Sequence, residues 1–169
     1  GEYAAAIGSV AYAKGRASFA FGASATANGD QSIAIGNTAP KTLDGIPGYT
    51  GEAKRTKYDG LNNTQTNGER SVAIGSGASV AFEDKNGEGY GAREGIAIGQ
   101  NATVKLVGKV CNDCEPEDPS SEGSISIGRD SVSGGRGATS IGLGANSEAH
   151  GVSIGINATT SFSSVAIGV

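Results

Sequence analysis

Short apolar blocks recur along the chain in the form Ser-φ-Ala-Ile-Gly, where φ is mostly Ile or Val, and polar turns separate them. They read Ala4-Ala5-Ala6-Ile7-Gly8, Ser18-Phe19-Ala20-Phe21-Gly22 and Ser32-Ile33-Ala34-Ile35-Gly36. Ser71-Val72-Ala73-Ile74-Gly75, Gly95-Ile96-Ala97-Ile98-Gly99 and Ser124-Ile125-Ser126-Ile127-Gly128 follow. Ala138-Thr139-Ser140-Ile141-Gly142, Gly151-Val152-Ser153-Ile154-Gly155 and Ser164-Val165-Ala166-Ile167-Gly168 complete nine copies. Their terminal glycines stand 14, 14, 39, 24, 29, 14, 13 and 13 residues apart. The base period is therefore about 14, too short for a pair of helices and suited to two strands of about five residues joined by two turns. Alternation and β-branched φ and Ile positions specify strands. Glycine at the turns supplies positive φ or close coil packing. Stacked coils then pair each strand in parallel with its copy one coil away.

The two faces of the first strand carry φ and Ile on one side and the flanking Ser, Ala and Gly on the other, because side chains alternate. Neither face holds a charge in any copy. A strand that is apolar or small on both faces is buried on both. One face lines the coil; the other needs a cover, for which another chain is the natural candidate. The second strand has an Ala/Ser row (Ala11, Ala25, Ala39, Ala78, Ala102, Ser131, Ala145, Ala158) and an outward polar row (Thr26, Ser79, Thr103, Asn146, Thr159). The pattern leaves open which face of the first strand points inward. A tight coil favours the small residues inside, with Ile33, Ile35, Val72, Ile74, Ile96, Ile98, Ile125 and Ile127 then forming a core strand at a subunit interface.

Composition fits a thin, repeated core. Among 169 residues there are 29 Gly, no Trp, no Met and 5% aromatics. A net charge of −4 offers no Lys/Arg excess for nucleic acid. No apolar run approaches the ~20 residues of a membrane-spanning helix, and no signal peptide is present, so the sequence reads as a segment of a longer protein.

The repeated Ser-Val-Ala-Ile-Gly run resembles the YadA-like head of trimeric autotransporter adhesins. The resemblance implies an all-β fold, a left-handed parallel β-roll of about 14-residue coils, with three rolls side by side as a homotrimer. It implies an exported protein on the outer membrane of a Gram-negative bacterium, anchored through parts outside this sequence. Its function would be adhesion to host extracellular-matrix or cell-surface proteins, with no cofactor. Collagen-associated repeats in that family read Asn-Ser-Val-Ala-Ile-Gly-x-x-Ser. Here Ala17, Gln31, Arg70, Gly123 and Ser163 precede the Ser, and the later Ser is mostly Ala, Ser131 excepted. The chain is thus expected to be one head fragment over 1–169. A passive spacer that displays another binding domain is the alternative.

Three insertions interrupt the period, at about 41–70, 81–94 and 105–123, and hold 22 of the 30 charged residues. Insertions of a solenoid map to surface loops, which often carry recognition. The first contains Tyr49, Lys54, Arg55, Lys57 and Tyr58, residue types enriched at interface hot spots. Asp44, Glu52, Asp59 and Glu69 balance its cations, which speaks against a heparin-type site. Tyr90 in the second insertion is a further ligand-binding candidate, although the segment around it reads as a solvated turn without EF-hand spacing. Cys111 and Cys114 in the third could be a redox pair, half a zinc site or a local disulfide. No βαβ context supports redox chemistry, and His150 is about forty residues away from a zinc set. Export into an oxidising compartment favours the disulfide.

Catalysis finds no converging groups. The single His150 lies in a turn-like segment, and no nucleophile elbow or dinucleotide fingerprint occurs. Hexapeptide-repeat acyltransferases share Ile-Gly-x-x-Ala runs but repeat every six residues, and an ice-binding solenoid would need a regular outward Thr array. The sequence points to a binding or display module, not an enzyme.

Overall fold

The structure, a computed structural model, describes residues 1–37, 63–80, 92–105 and 123–168. Among these there is no helix, and the strands form two parallel sheets. The first sheet stacks β1 (Ala5–Ile7), β3 (Phe19–Phe21), β5 (Ile33–Ile35), β7 (Val72–Ile74), β9 (Ile96–Ile98), β11 (Ile125–Ile127), β13 (Thr139–Ile141), β15 (Val152–Ile154) and β17 (Val165–Ile167) in that order. The second stacks β2 (Tyr12–Ala13), β4 (Thr26–Ala27), β6 (Gln65–Thr66), β8 (Ser79–Val80), β10 (Thr103–Lys105), β12 (Val132–Gly134), β14 (Asn146–Ser147) and β16 (Thr159–Thr160). Each coil gives one strand to each sheet. Register is residue for residue: Ile33 pairs with Val72, Ala34 with Ala73 and Ile35 with Ile74. Nine rungs at ~4.8 Å make a stack about 40 Å long.

The strands are two or three residues long, shorter than the five that the period suggested. Two left-handed residues per coil cut them. One follows the first strand, as at Asn101 (φ 55°); the other follows the second, as at Gln31 (φ 55°). The ladder continues through these corners. The Gln31 N–H donates to the Arg16 carbonyl at 2.8 Å, and Arg70 N–H to the Asp30 carbonyl at 2.8 Å. No backbone donor need go unpaired where the chain reverses. The Ile-Gly glycine answers both needs foreseen for it. Gly75 has φ 131°, and a Cβ there would stand 2.5 Å from the Gly99 carbonyl oxygen of the next coil.

The interior is lined by small side chains. Ala20, Ala34, Ala73, Ala97, Ser126, Ser140 and Ser153 of the first sheet are fully buried. Facing them are Ala27, Thr66, Val80, Val104, Ser133 and Ser147. The early coils hold apolar clusters of Ala25, Ala27 and Ala34, and of Ala78, Val80, Ala102 and Val104, beside a few bonded hydroxyls such as Thr66 Oγ1 on Ser32 Oγ. The late coils use hydroxyls that satisfy one another. Ser126 and Ser131 Oγ lie 2.8 Å apart, Ser140 and Ser147 Oγ 2.6 Å, and Ser153 Oγ and Thr160 Oγ1 2.8 Å. Buried hydroxyls are tolerated where they find a partner; among the described residues Ser24 Oγ is the buried side-chain atom without one.

The insertions are narrower than the sequence boundaries. Residues 63–70, assigned to the first insertion, supply β6 and the corner after it. Thr64 occupies the place expected for Ala39: its carbonyl accepts from Thr26 N–H at 2.9 Å, as Ala25 accepts from Tyr12 one coil earlier. Ala92 is buried, Glu94 is a corner residue, and Lys105 belongs to β10. No rung is missing across the three gaps, since β5 pairs β7, β7 pairs β9, and β9 pairs β11. The first gap opens after β5, at one edge of the roll; the other two open after β8 and β10, at the opposite edge.

Candidate recognition surfaces

Outside the roll, three surfaces differ in chemistry. The first sheet points two columns outward. One holds Ala5, Phe19, Ile33, Val72, Ile96, Ile125, Thr139, Val152 and Val165; the other holds Ile7, Phe21, Ile35, Ile74, Ile98, Ile127, Ile141, Ile154 and Ile167. This settles the inward face in favour of the small residues. All eight Ile and Val side chains assigned to the core strand lie on the outer side, partly exposed; Ile33 keeps 38% and Ile74 37% of its surface in water. Small side chains are the ones that fit between two strands of the same short coil. The β-branched ones form an uncharged apolar strip along the whole stack, larger than a monomer ordinarily leaves open. In β3 the Phe19 and Phe21 rings stack with centroids 6.4 Å apart and planes 3° from parallel.

The second sheet presents Thr26, Gln65, Thr103, Asn146 and Thr159 to solvent. Ser79, expected in this wet row, is 7% exposed, because Gln65 folds over it and Gln65 Nε2 donates to Ser79 Oγ at 3.3 Å. Thr26 and Thr103 turn their hydroxyls back onto the carbonyls of Ser24 and Asn101.

The third surface is the edge that follows the second sheet, where charges stack coil upon coil. Arg16 meets Asp30 there, its backbone N–H and Nε each donating to the carboxylate at 2.7 Å. This clamp, first the backbone bond and then the side-chain bond, holds the Asp30 carboxyl below its ordinary value of 3.8. Arg70 pairs with Glu94 at 2.9 Å. Glu2, Tyr3, Arg16, Asp30, Glu69 and Arg70 line a shallow polar groove of about 430 Å³. Tyr3 is 87% exposed beside it. The residues in the place of the collagen-associated Asn (Ala17, Gln31, Arg70, Ser163) are the left-handed corner residues of this edge. Asn takes the equivalent corner on the opposite edge, at Asn101 and Asn157. His150 is also a corner residue (φ 58°), edge-on to Phe162 at 5.6 Å, in keeping with a turn role.

The ligand candidates Tyr49, Lys54, Arg55, Lys57, Tyr58 and Tyr90, and the cysteines Cys111 and Cys114, lie outside the described residues. Sequence reasoning missed the Phe19–Phe21 stack, although the Phe-Ala-Phe departure from φ-Ala-Ile was visible in the repeat. It also missed Thr64, whose signal was the likeness of Thr64-Gln65-Thr66-Asn67-Gly68 to Ala25-Thr26-Ala27-Asn28-Gly29.

The sequence model of the YadA head domain repeat matches residues 1–24, 13–39 and 62–78. Among solved structures, the collagen-binding domain of the Yersinia adhesin YadA superposes with a TM-score of 0.57. That alignment covers 100% of this chain and 82% of that one at 19% identity. YadA head repeats thus account for residues 1–39 and 62–78, and the fold of the whole chain is that of the YadA head. No curated protein matched the chain in a sequence search. The matched segments meet the structure at an informative place, because residues 62–78 include the whole of β6. Recognition of the repeat thus resumes at the second strand of the interrupted coil, before the next Ser-Val-Ala-Ile-Gly block.

Proposed function

We propose that this chain is the adhesive head of a bacterial surface fibre, a binding module and not an enzyme. It is exported and held at the outer membrane of a Gram-negative cell through parts outside this sequence. Three copies pack side by side through the first sheet and display the polar sheet and edges to host extracellular-matrix or cell-surface proteins. The observation that carries this reading is the uncharged Ile/Val strip running the length of a YadA-like roll. An apolar strip of that extent is stable in water once another apolar surface covers it. The Yersinia domain of the same fold is a collagen-binding one. The present head lacks Asn at the corner before each Ser, so its ligand is sought across matrix proteins.

The recognition residues we favour are Tyr49, Lys54, Arg55, Lys57 and Tyr58 in the first insertion, with Tyr90 in the second. Aromatic and Arg side chains concentrate binding energy in protein interfaces. We further propose that Cys111 and Cys114 close a local disulfide. The test is binding of the 169-residue chain to immobilised collagen, fibronectin, laminin and host-cell receptors. A variant in which a short turn replaces 38–62 runs beside it, leaving Asn63–Arg70 to form β6 and its corner. Binding lost in the variant places adhesion in the first insertion. Binding retained moves it to the polar sheet or the charged edge. Binding by neither sinks the adhesive reading in favour of a spacer.

A further inference from the structure

A strip that repeats itself every coil has no intrinsic reason to pair in one register. Slide one copy along another by a single rung, and Ile and Val rows again meet Ile and Val rows; only one row of nine is forfeited. The alternation that fixes sheet register within a chain does not help here, because the slip is by a whole coil and leaves every side chain on its own face. Some departure from the repeat has to mark the height. The two outward columns contain three such departures. Ala5 is the smallest residue in either column, and Thr139 the one bearing a hydroxyl. The largest is the β3 row, where Phe19 and Phe21 stand in register between Ala5 and Ile7 on one side and Ile33 and Ile35 on the other. Phe21 is 46% exposed, so its ring stands free of the roll. The two rings stack with their planes 3° from parallel, so the row carries a paired aromatic block.

Resting on the side-by-side assembly proposed above, we infer that the Phe19–Phe21 row is the register key of self-association, its partner being the same row of a second copy of this chain. In register, the Phe rows of all copies lie at one height, and the small Ala5 beside them leaves room for the rings. A one-rung slip drives the rings against Ile33 and Ile35 of one neighbour, which overpacks. It also sets that neighbour's rings against Ala5 and Ile7 of the slipped copy, which leaves a void at Ala5. Both errors are destabilising in a close-packed contact. Thr139 acts in the same sense at the far end of the strip. Its hydroxyl meets another Thr139 in register and an aliphatic side chain out of it, where it would be unsatisfied. Discrimination of this kind works by penalising the alternatives, as polar marks do in other repetitive assemblies.

The experiment maps which coil of one copy touches which coil of another. A diazirine-bearing aliphatic amino acid replaces Ile98. Chains carrying it are mixed with isotopically heavy chains and irradiated, and the captured residue is read by mass spectrometry. The natural chain should give inter-chain cross-links confined to one coil. The Phe19→Ile, Phe21→Ile variant, which copies the β5 row and so keeps a known foldable pattern, should spread them over two or more successive coils. At least half of the yield should leave the original coil. Adding Val72→Phe and Ile74→Phe to that variant should restore a single coil. A Phe-free variant whose cross-links stay in one coil overturns the register key while leaving the assembly intact. A natural chain that sediments as a monomer and gives no inter-chain cross-link overturns the assembly and the key together.

Discussion

The two sheets of the roll share one interior and differ most outside. Inside, the first sheet presents Ala and Ser, and the second Ala, Ser, Thr and Val, to a space so narrow that no aromatic side chain enters among the described residues. Outside, the first sheet shows a strip of Ile and Val, and the second shows Thr, Gln and Asn. Each coil therefore carries two instructions in one short repeat. The alternating small residue closes the coil, and the residue between decides what the coil touches. A solenoid whose interior tolerates only small side chains gains little hydrophobic stabilisation from it, since burial is worth about 25 cal/mol per Å² of apolar surface. Large apolar side chains lie on the outer strip instead, so the proposed assembly would couple folding and association more tightly than in a domain with a thick core.

The largest break in that contrast is a charge on the apolar side. Ile74→Asp with Ile98→Asp puts two carboxylates on adjacent rungs of the strip, since Ile74 pairs with Ile98 in the ladder. Covering them by another chain costs several kcal/mol with no partner to compensate. Sedimentation should show loss of assembly, and the melting temperature should fall steeply. The matched change on the other side, Thr26→Asp with Asn146→Asp, should shift stability by less than about 0.5 kcal/mol, the usual range for surface substitutions. Equal damage from both pairs would end the distinction between the sheets.

Much of this contrast was legible in the repeat. Nine blocks at a period of about 14 specified parallel ladders, and the first strand carried no charge on either face. Side-chain volume, which decided the inward face, enters only once the coil closes over itself, and no pattern in the linear sequence states how narrow that space is. Strand length was overestimated because corner residues such as Gln31, Arg70 and Glu94 are not the Gly or Asn that announce a left-handed turn. Coil stacking imposes the conformation on them. The charged edge went unread for a related reason: Arg16 and Asp30 are 14 residues apart and meet only through the coil repeat.

A smaller effect sharpens the claim that the interior is common to both sheets. Ser140 and Ser147 of the late coils occupy the places of Ala20 and Ala27 in an early one. Ser140 Oγ bonds both Ser147 Oγ and the Val132 carbonyl, each at 2.6 Å. Ser140→Ala alone strands the Ser147 hydroxyl and should cost about 1–3 kcal/mol in denaturant unfolding. Ser140→Ala with Ser147→Ala rebuilds the Ala pair already present in the chain and should recover most of that loss, because removing both partners leaves nothing buried and unpaired. A double variant as damaged as the sum of its parts would mean that the late coils need their hydroxyls for something beyond mutual satisfaction.

The smallest effect lies on the edge where the sheets meet. Asp30 is clamped by the backbone and side chain of Arg16, and its carboxyl titrates below the ordinary value of 3.8. A carboxylate whose folded value is depressed binds its proton less readily folded than unfolded. The stability it contributes is present above about pH 4 and drains away as the pH falls through the lower, folded value. Exposure and salt keep the contribution modest, as for surface ion pairs in general. Thermal unfolding from pH 6 down to pH 2 should therefore show a shallow decline for the natural chain that begins near pH 4. Asp30→Asn should be slightly less stable at pH 6 and converge with the natural chain at pH 2. Added salt should narrow the gap at pH 6, since partly exposed charges are screened. Curves that stay parallel across the whole range would show that the clamp contributes nothing to holding neighbouring coils together at this edge, leaving the backbone ladder through Gln31 and Arg70 to do so alone.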